Sequence, residues 1–410
     1  MHYTLQAPET IQKVILLPSS KSISNRVLIM NHLSGRGTQL ENLSDCDDTQ
    51  VMLRALNNRS EITDIRAAGT AMRFLTAYFA STDNHTILTG TERMKHRPIS
   101  ILVDALQSLG ADIRYQDETG YPPLRIAGKQ LDGGEIEIAG NVSSQYISAL
   151  MMIAPYTQKG LKIHIKGETI SGTYINLTEQ LMKQFGVEVI REDRTTIIIP
   201  PSTYKRTTFT IENDWSASSY WYEIMALLPG QESCIELPFL LADSLQGDAK
   251  VRELFEPLGV KTTFNGNNAV LSKTAINCES YCQDLSEQPD LAQAIAVTCA
   301  MLRIPFTLTG LQTLRIKETD RLKALRTELV KLGVNIQEKN GNSLIWNGKT
   351  AETDKTAAID TYEDHRMAMA FAPCAILHPK LDINNPEVVS KSYPRFWKDL
   401  QQAGFKILND

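Results

Sequence analysis

Leu109–Tyr115 reads LGADIRY, and the same grammar returns as FGVEVIR from Phe185, LGVKTTF from Leu258, LGVNIQE from Leu332 and AGFKILN from Ala403. The starts lie roughly 71 to 76 residues apart, a self-similarity that marks duplicated units. Each copy reads as a helix closed by glycine at C′, where positive φ costs little, followed at once by a strand. The preceding segments ISILVDALQS, NLTEQLMKQ, AKVRELFEP and DRLKALRTELVK repeat apolar residues at helical spacing. EIEIAG and LKIHIKG alternate with period two, as half-buried strands do. The unit is too long for a solenoid of short repeats. The expectation is a pseudo-symmetric α/β protein assembled from several βαβ-type units.

Length and composition bound the rest. The chain has 410 residues, 42% of them apolar and 22% charged, which suits a globular protein of two domains or one large one. A net charge of −5 argues against a general nucleic-acid binder but leaves room for a local basic cluster around a small anion. No long uncharged apolar run predicts a membrane-spanning helix, and MHYTLQAPETIQK lacks the features of a signal peptide. Cys46, Cys234, Cys278, Cys282, Cys299 and Cys374 are scattered and are expected to be reduced thiols of a cytoplasmic protein.

Seven short stretches carry polar chemistry just before apolar runs. Leu17–Arg26 (LPSSKSISNR) places serines where they cap a helix and Lys21 and Arg26 beside N–H groups that favour anions; a capped helix with two solvated bases is the alternative. Ala67–Arg73 (AAGTAMR) offers close backbone approach at a strand-to-helix turn, or a packing glycine. Glu92–Pro98 (ERMKHRP) gathers bases ahead of a proline expected at the first helical position. VSSQYI, ending at Ile147, brings two hydroxyls and an amide to a helix start. Arg315–Leu322 (RIKETDRL) crowds charges that pair poorly at i,i+4, which favours convergence on a ligand. Glu363–Met369 (EDHRMAM) and Ser390–Pro394 (SKSYP) repeat the design. If the units are related by symmetry, these helix starts can point into one cleft and trap anions with dipoles, Arg forks and Lys charges. The chain has no GxxxxGK[ST] loop, GxGxxG after a strand, HExxH, metal-ligand spacing or GxSxG elbow, so no metal or cofactor is expected.

Taken in order, PSSKSISNR, AAGTAMR, ERMKHRPI, NVSSQYISALMM, QPDLAQAIA, RIKETDRL, EDHRMAM and SKSYP resemble the 5-enolpyruvylshikimate-3-phosphate synthase family of enolpyruvyl transferases across nearly the whole chain. The resemblance implies an inside-out α/β barrel of two pseudo-threefold domains, each of three βαβαββ units. It implies a first domain from residues 1–19 plus 214–410, a second from 20–213, and an active site in the cleft between them. The implied reaction moves the enolpyruvyl group of phosphoenolpyruvate to the 5-hydroxyl of shikimate 3-phosphate by addition–elimination, with no cofactor. The expected partners are those two small molecules, with no nucleic acid and no membrane, and a monomer.

By that resemblance, Lys21, Gly69, Thr70, Arg97, Gln145, Arg321, Arg366 and Lys391 contact phosphoenolpyruvate. Lys21, Ser22, Arg26, Ser143, Ser144, Gln145, Ser171, Tyr174, Asp290, Thr313 and Lys317 contact shikimate 3-phosphate. Asp290, Glu318 and Lys21 are implied in proton transfer, with Glu318 kept ionised by Lys317 and Arg321; Asp364 and His365 support Arg366. The chain departs from the family pattern at Ala67, where an Asn is usual, at Thr313, also usually Asn, and at Phe74, usually Pro. The rivals are a UDP-N-acetylglucosamine enolpyruvyl transferase, against which SSQY and KETDRL speak, and a non-catalytic metabolite-binding relative, against which the intact Asp290 and Glu318 speak.

Overall fold

The computed structural model describes residues 1–141, 143–167, 170–352 and 357–409. Val142, part of the serine-rich motif, lies outside the described residues. The chain divides into two compact units, one from Met1–Pro18 with Glu212–Asp410 and one from Ser19–Ile211.

One βαβαββ pattern recurs. Ile62–Asp64 and His85–Thr89 pair in parallel around the helix Gly69–Ser81; Leu124–Ala127 then joins antiparallel and Asp112–Tyr115 closes the edge. The same order of one parallel and two antiparallel pairings builds the sheet of Gly134–Ala139, Leu161–Lys166, Thr196–Ile199 and Ile190–Arg191. In the first unit it builds three more sheets. One of these borrows its strand His2–Gln6 from the chain start, set between Leu381–Asn384 and Lys406–Asn409. The remaining copy is short. Gln39–Glu41 and Thr208–Thr210 make a two-stranded parallel sheet without the closing hairpin. The inside-out α/β fold expected from the sequence is thus present, with one abbreviated copy.

The glycines that revealed the repeat do what their position requires. Gly110, Gly186, Gly259, Gly333 and Gly404 all have positive φ, from 78° to 106°, a region costly for residues with a Cβ. The abbreviated copy has no such glycine: its helix Asp47–Asn57 ends at Asn58 with an extended backbone. That is why the sequence announces five copies.

The first helix of each copy is the buried one. In the first unit Trp215–Leu227, Ala292–Met301 and His365–Phe371 pack on one another, and every residue of the last two is buried. In the second unit Lys21–Leu33, Gly69–Ser81 and Ser144–Ile153 do the same. Fully burying a large apolar side chain contributes about 1.5–3 kcal/mol, so these helices are fixed by packing on all sides and their first turns become rigid platforms. No described helix is long and apolar enough to cross a membrane. All six cysteines are free thiols.

Candidate active site

In the first unit seven of the residues singled out from the sequence form one connected charge network. Arg321 opens the helix Arg321–Lys331 behind the cap Asp320 and is almost wholly buried. Its guanidinium touches three carboxylates: Asp364 through Nε at 2.7 Å and Nη2 at 3.3 Å, Asp290 through Nη1 at 3.1 Å, and Glu318 through Nη2 at 3.0 Å. Burial alone would pull its pKa down, but Asp364, then Glu318 and Asp290, hold it above the ordinary value. Arg366 reaches Asp290 Oδ2 at 3.0 Å and donates to the Asp290 carbonyl at 3.1 Å. Lys317 lies 3.8 Å from Asp290, and Lys391 lies 3.4 Å from Glu318. Four cations therefore share three carboxylates, a positive balance held in a largely dry setting where charge interactions are strong. Thr313 is buried in the turn Gln312–Ile316 just before this cluster.

Asp364 has two tasks. It caps the helix His365–Phe371 by accepting from the Arg366 backbone N–H at 2.9 Å, and it holds Arg321. His365 is buried beside it, its Nδ1 3.7 Å from Asp364 Oδ1. Arg366 itself is steadied by Asp290 and by the Tyr220 hydroxyl, to which it donates at 3.4 Å.

The second unit gathers the other set on helix starts. Lys21 is the first residue of its helix, capped by Ser20, and lies 3.3 Å from Asp48. Arg26, one turn on, is buried; it donates to Thr178 at 2.7 Å, to Ser148 at 3.3 Å and to the carbonyls of Ser22 and Tyr174, with the rings of Phe74 and Tyr174 against it. Burial lowers its pKa to about 10, so it stays charged at neutral pH. Ser143 caps the helix that opens with Ser144, and Gln145 donates to the Thr70 hydroxyl at 3.2 Å. Gly69 opens its own helix, and a Cβ there would sit 2.5 Å from Arg97 Nη1. The glycine lets a buried guanidinium lie against the helix start, where N–H groups point outward. Ser171 adopts a left-handed φ of 58° and precedes the helix Gly172–Gln184, with Tyr174 in its first turn.

Two local expectations are corrected. Pro98 does not start a helix; the helix is Ser100–Ser108 behind Ile99, and Glu92–Lys95 forms a short helix of its own capped by Thr91. The Pro98 carbonyl is used instead by Arg73 at 3.0 Å and the Tyr146 hydroxyl at 2.6 Å. The charges of RIKETDRL do pair among themselves, Arg321 with Glu318 and Arg315 with Asp320. Arg315 and Ile316 end a 3₁₀ turn, Lys317 is extended and the α-helix begins only at Arg321, so these pairs form outside i,i+4 helical spacing.

Sequence reasoning missed several groups. Asp48 was readable as an acidic residue in a helix first turn. Ser148 and Thr178, which hold Arg26, looked like ordinary helical polar residues. Asp248 accepts from the Ser216 hydroxyl and is buried; burial, then the charge of Asp290, raises its pKa to about 7.

A family model for EPSP synthase (3-phosphoshikimate 1-carboxyvinyltransferase) matches residues 5–60 and 56–400. The 3-phosphoshikimate 1-carboxyvinyltransferase of Bacteroides fragilis strain YCH46 is 53% identical over 407 residues, covering 99% of each chain. That of Marinomonas sp. strain MWYL1 is 37% identical, covering 94% of this chain and 95% of its own. A solved EPSP synthase from Acinetobacter baumannii superposes with a TM-score of 0.75 over the full length of both chains at 18% identity, a likeness of fold.

Proposed function

The chain belongs to the EPSP synthase family, and from that premise we propose how its residues divide the work of moving the enolpyruvyl group of phosphoenolpyruvate to the 5-hydroxyl of shikimate 3-phosphate. The reaction forms a C–O bond from the hydroxyl oxygen to C2 of the enolpyruvyl group. The C3 methylene gains a proton and later returns it as the C–O bond to phosphate breaks. Both substrates are anions, and both a base and an acid are required at the reacting centre.

The network of Arg321, Arg366, Lys391 and Lys317 around Asp290, Glu318 and Asp364 is the observation that carries this reading. Its cations suit the carboxylate and phosphate of the donor, and its carboxylates are groups able to give and take protons. We assign Asp290 and Glu318 to proton transfer, with Lys21 as a further acid. Arg97, Gln145, Gly69 and Thr70 complete the donor contacts. Ser22, Arg26, Ser143, Ser144, Ser171, Tyr174, Thr313 and Lys317 take the acceptor, with Arg26 and Lys317 supplying charge opposite its anionic groups. A single chain carries both clusters, which favours a monomer. Six free thiols, two of them exposed, favour a reducing cytoplasm.

The test is phosphate release from phosphoenolpyruvate with shikimate 3-phosphate present and absent, with the product identified by mass. Release that needs UDP-N-acetylglucosamine instead would overturn the acceptor. For the roles, Glu318→Gln keeps the shape that faces Arg321 and Lys391 while removing the charge. It is expected to retain substrate binding and lose at least about a hundredfold in kcat; an unchanged kcat removes Glu318 from proton transfer.

A further inference from the structure

Between the strand Ala358–Ile359 and the helix His365–Phe371 the chain makes a tight turn. Tyr362 and Glu363 both have left-handed φ, 53° and 56°, and neither is glycine. Each such residue costs roughly 1–2 kcal/mol, so the turn persists only because its surroundings hold it. The turn delivers Asp364, which binds Arg321, and Arg366, which binds Asp290.

What holds it is Glu328, whose side chain is fully buried two helical turns beyond Arg321 on the same helix. Oε2 accepts from the Asp360 backbone N–H at 3.0 Å and Oε1 accepts from the Tyr362 hydroxyl at 2.5 Å. Lys331, one turn further, lies 2.7 Å from Glu328, 2.9 Å from Asp360 and donates to the Ala358 carbonyl at 2.9 Å. Asn384 donates to Asp360 from the neighbouring strand. A buried carboxylate is costly unless paired and hydrogen-bonded, and here both oxygens are engaged with the turn or its lysine. The consequence is geometric. One rigid helix carries Arg321 at its start and grips, through Glu328, the segment that presents Arg321's partner.

We propose that Glu328 is a positioning residue for the donor cluster: by clamping Asp360 and Tyr362 it holds the strained 360–363 turn in the one conformation that brings Asp364 and Arg366 to Arg321 and Asp290. The inference rests on assigning Arg321 and Arg366 to phosphoenolpyruvate.

The experiment is steady-state phosphate release by the full chain, varying each substrate at saturation of the other, with a thermal melt for every variant. Glu328→Ala is expected to raise the KM for phosphoenolpyruvate and lower kcat/KM by about tenfold or more, with the KM for shikimate 3-phosphate within about twofold of wild type. Glu328→Gln, which keeps one acceptor oxygen, is expected to fall between Glu328→Ala and wild type, and Tyr362→Phe to lose about threefold. Wild-type kinetics in Glu328→Ala, or equal KM changes for both substrates that follow the melting temperature, would overturn the proposal. If Glu328→Ala does not fold, the graded pair Glu328→Gln and Tyr362→Phe carries the same test. Arg366→Lys separates the two readings. Full activity there sinks the donor assignment; loss there beside an intact Tyr362→Phe and Glu328→Gln sinks the clamp alone.

Discussion

Asp364 grips Arg321 with both carboxylate oxygens, Oδ2 at 2.7 Å to Nε and Oδ1 at 3.3 Å to Nη2, and Oδ1 also accepts the Arg366 N–H at 2.9 Å. One fully buried side chain therefore sets the plane of one arginine and the backbone entry of another. Two cations 45 residues apart in sequence share a single reference point.

Asp364→Asn preserves the shape and the capping oxygen but removes the charge and turns an N–H₂ toward a guanidinium. The arginine keeps Glu318 and Asp290 and is left misaligned. A loss of about 3 kcal/mol in unfolding free energy is expected, with a fall of about a hundredfold in kcat/KM for phosphoenolpyruvate. Urea denaturation and initial rates check the two parts separately; a variant as stable and active as wild type refutes the shared role.

Arg321→Lys is not a conservative change here. A guanidinium fork meets three carboxylates at once, whereas an ammonium on a flexible stem is a single point charge. Asp290, Glu318 and Asp364 would then face one another less well neutralised. The expected outcome is a drop of about a hundredfold or more in kcat/KM with far-ultraviolet circular dichroism unchanged. Retention of normal kinetics would show that charge alone suffices.

The repeat was legible because its glycines are forced: five helices end at positive φ and each end wrote a Gly into the sequence. The abbreviated copy was silent because Asn58 ends its helix with ordinary extended backbone. Cationic site residues were legible because Lys21, Arg321 and Arg366 sit at helix starts, where solvated bases are unfavourable. The long-range pairings were not, although the family resemblance named Asp290 and Asp364. Asp290 and Asp364 stand 31 and 43 residues from Arg321, and no local spacing encodes such pairs. Glu328 reads in sequence as one more acid on an amphipathic helix; only the fold turns it inward against Tyr362. Pro98 misled because a proline before an apolar run usually marks a first helical turn, and nothing local records that its carbonyl belongs to Arg73 and Tyr146.

Gly69→Ala tests the donor contacts in the second unit. The new Cβ would lie 2.5 Å from Arg97 Nη1, so the guanidinium must move off the helix start. The backbone itself should tolerate the change, since alanine favours helix over glycine by about 1 kcal/mol. The KM for phosphoenolpyruvate is expected to rise about tenfold with the melting temperature unchanged or higher. An unaltered KM would separate Arg97 from the donor.

Asp248 gives the sign of a pH effect. Its carboxyl is buried beside Asp290, with Arg366 and Asp214 also acting on it, and it holds its proton up to about pH 7 in the fold, against an ordinary value of 3.8. Between those values the native chain binds a proton that the unfolded chain has released. Stability from this group is therefore complete below the unfolded value and is lost as pH rises through the folded one. Asp248→Asn does not titrate and keeps an oxygen for the Ser216 hydroxyl, the bond Asp248 makes now. Relative to wild type it should be least favoured near pH 5, gain as pH rises to about 7 and level off above that. Urea midpoints across that range read the difference directly, and a difference independent of pH would mean that Asp248 is ionised in the folded protein.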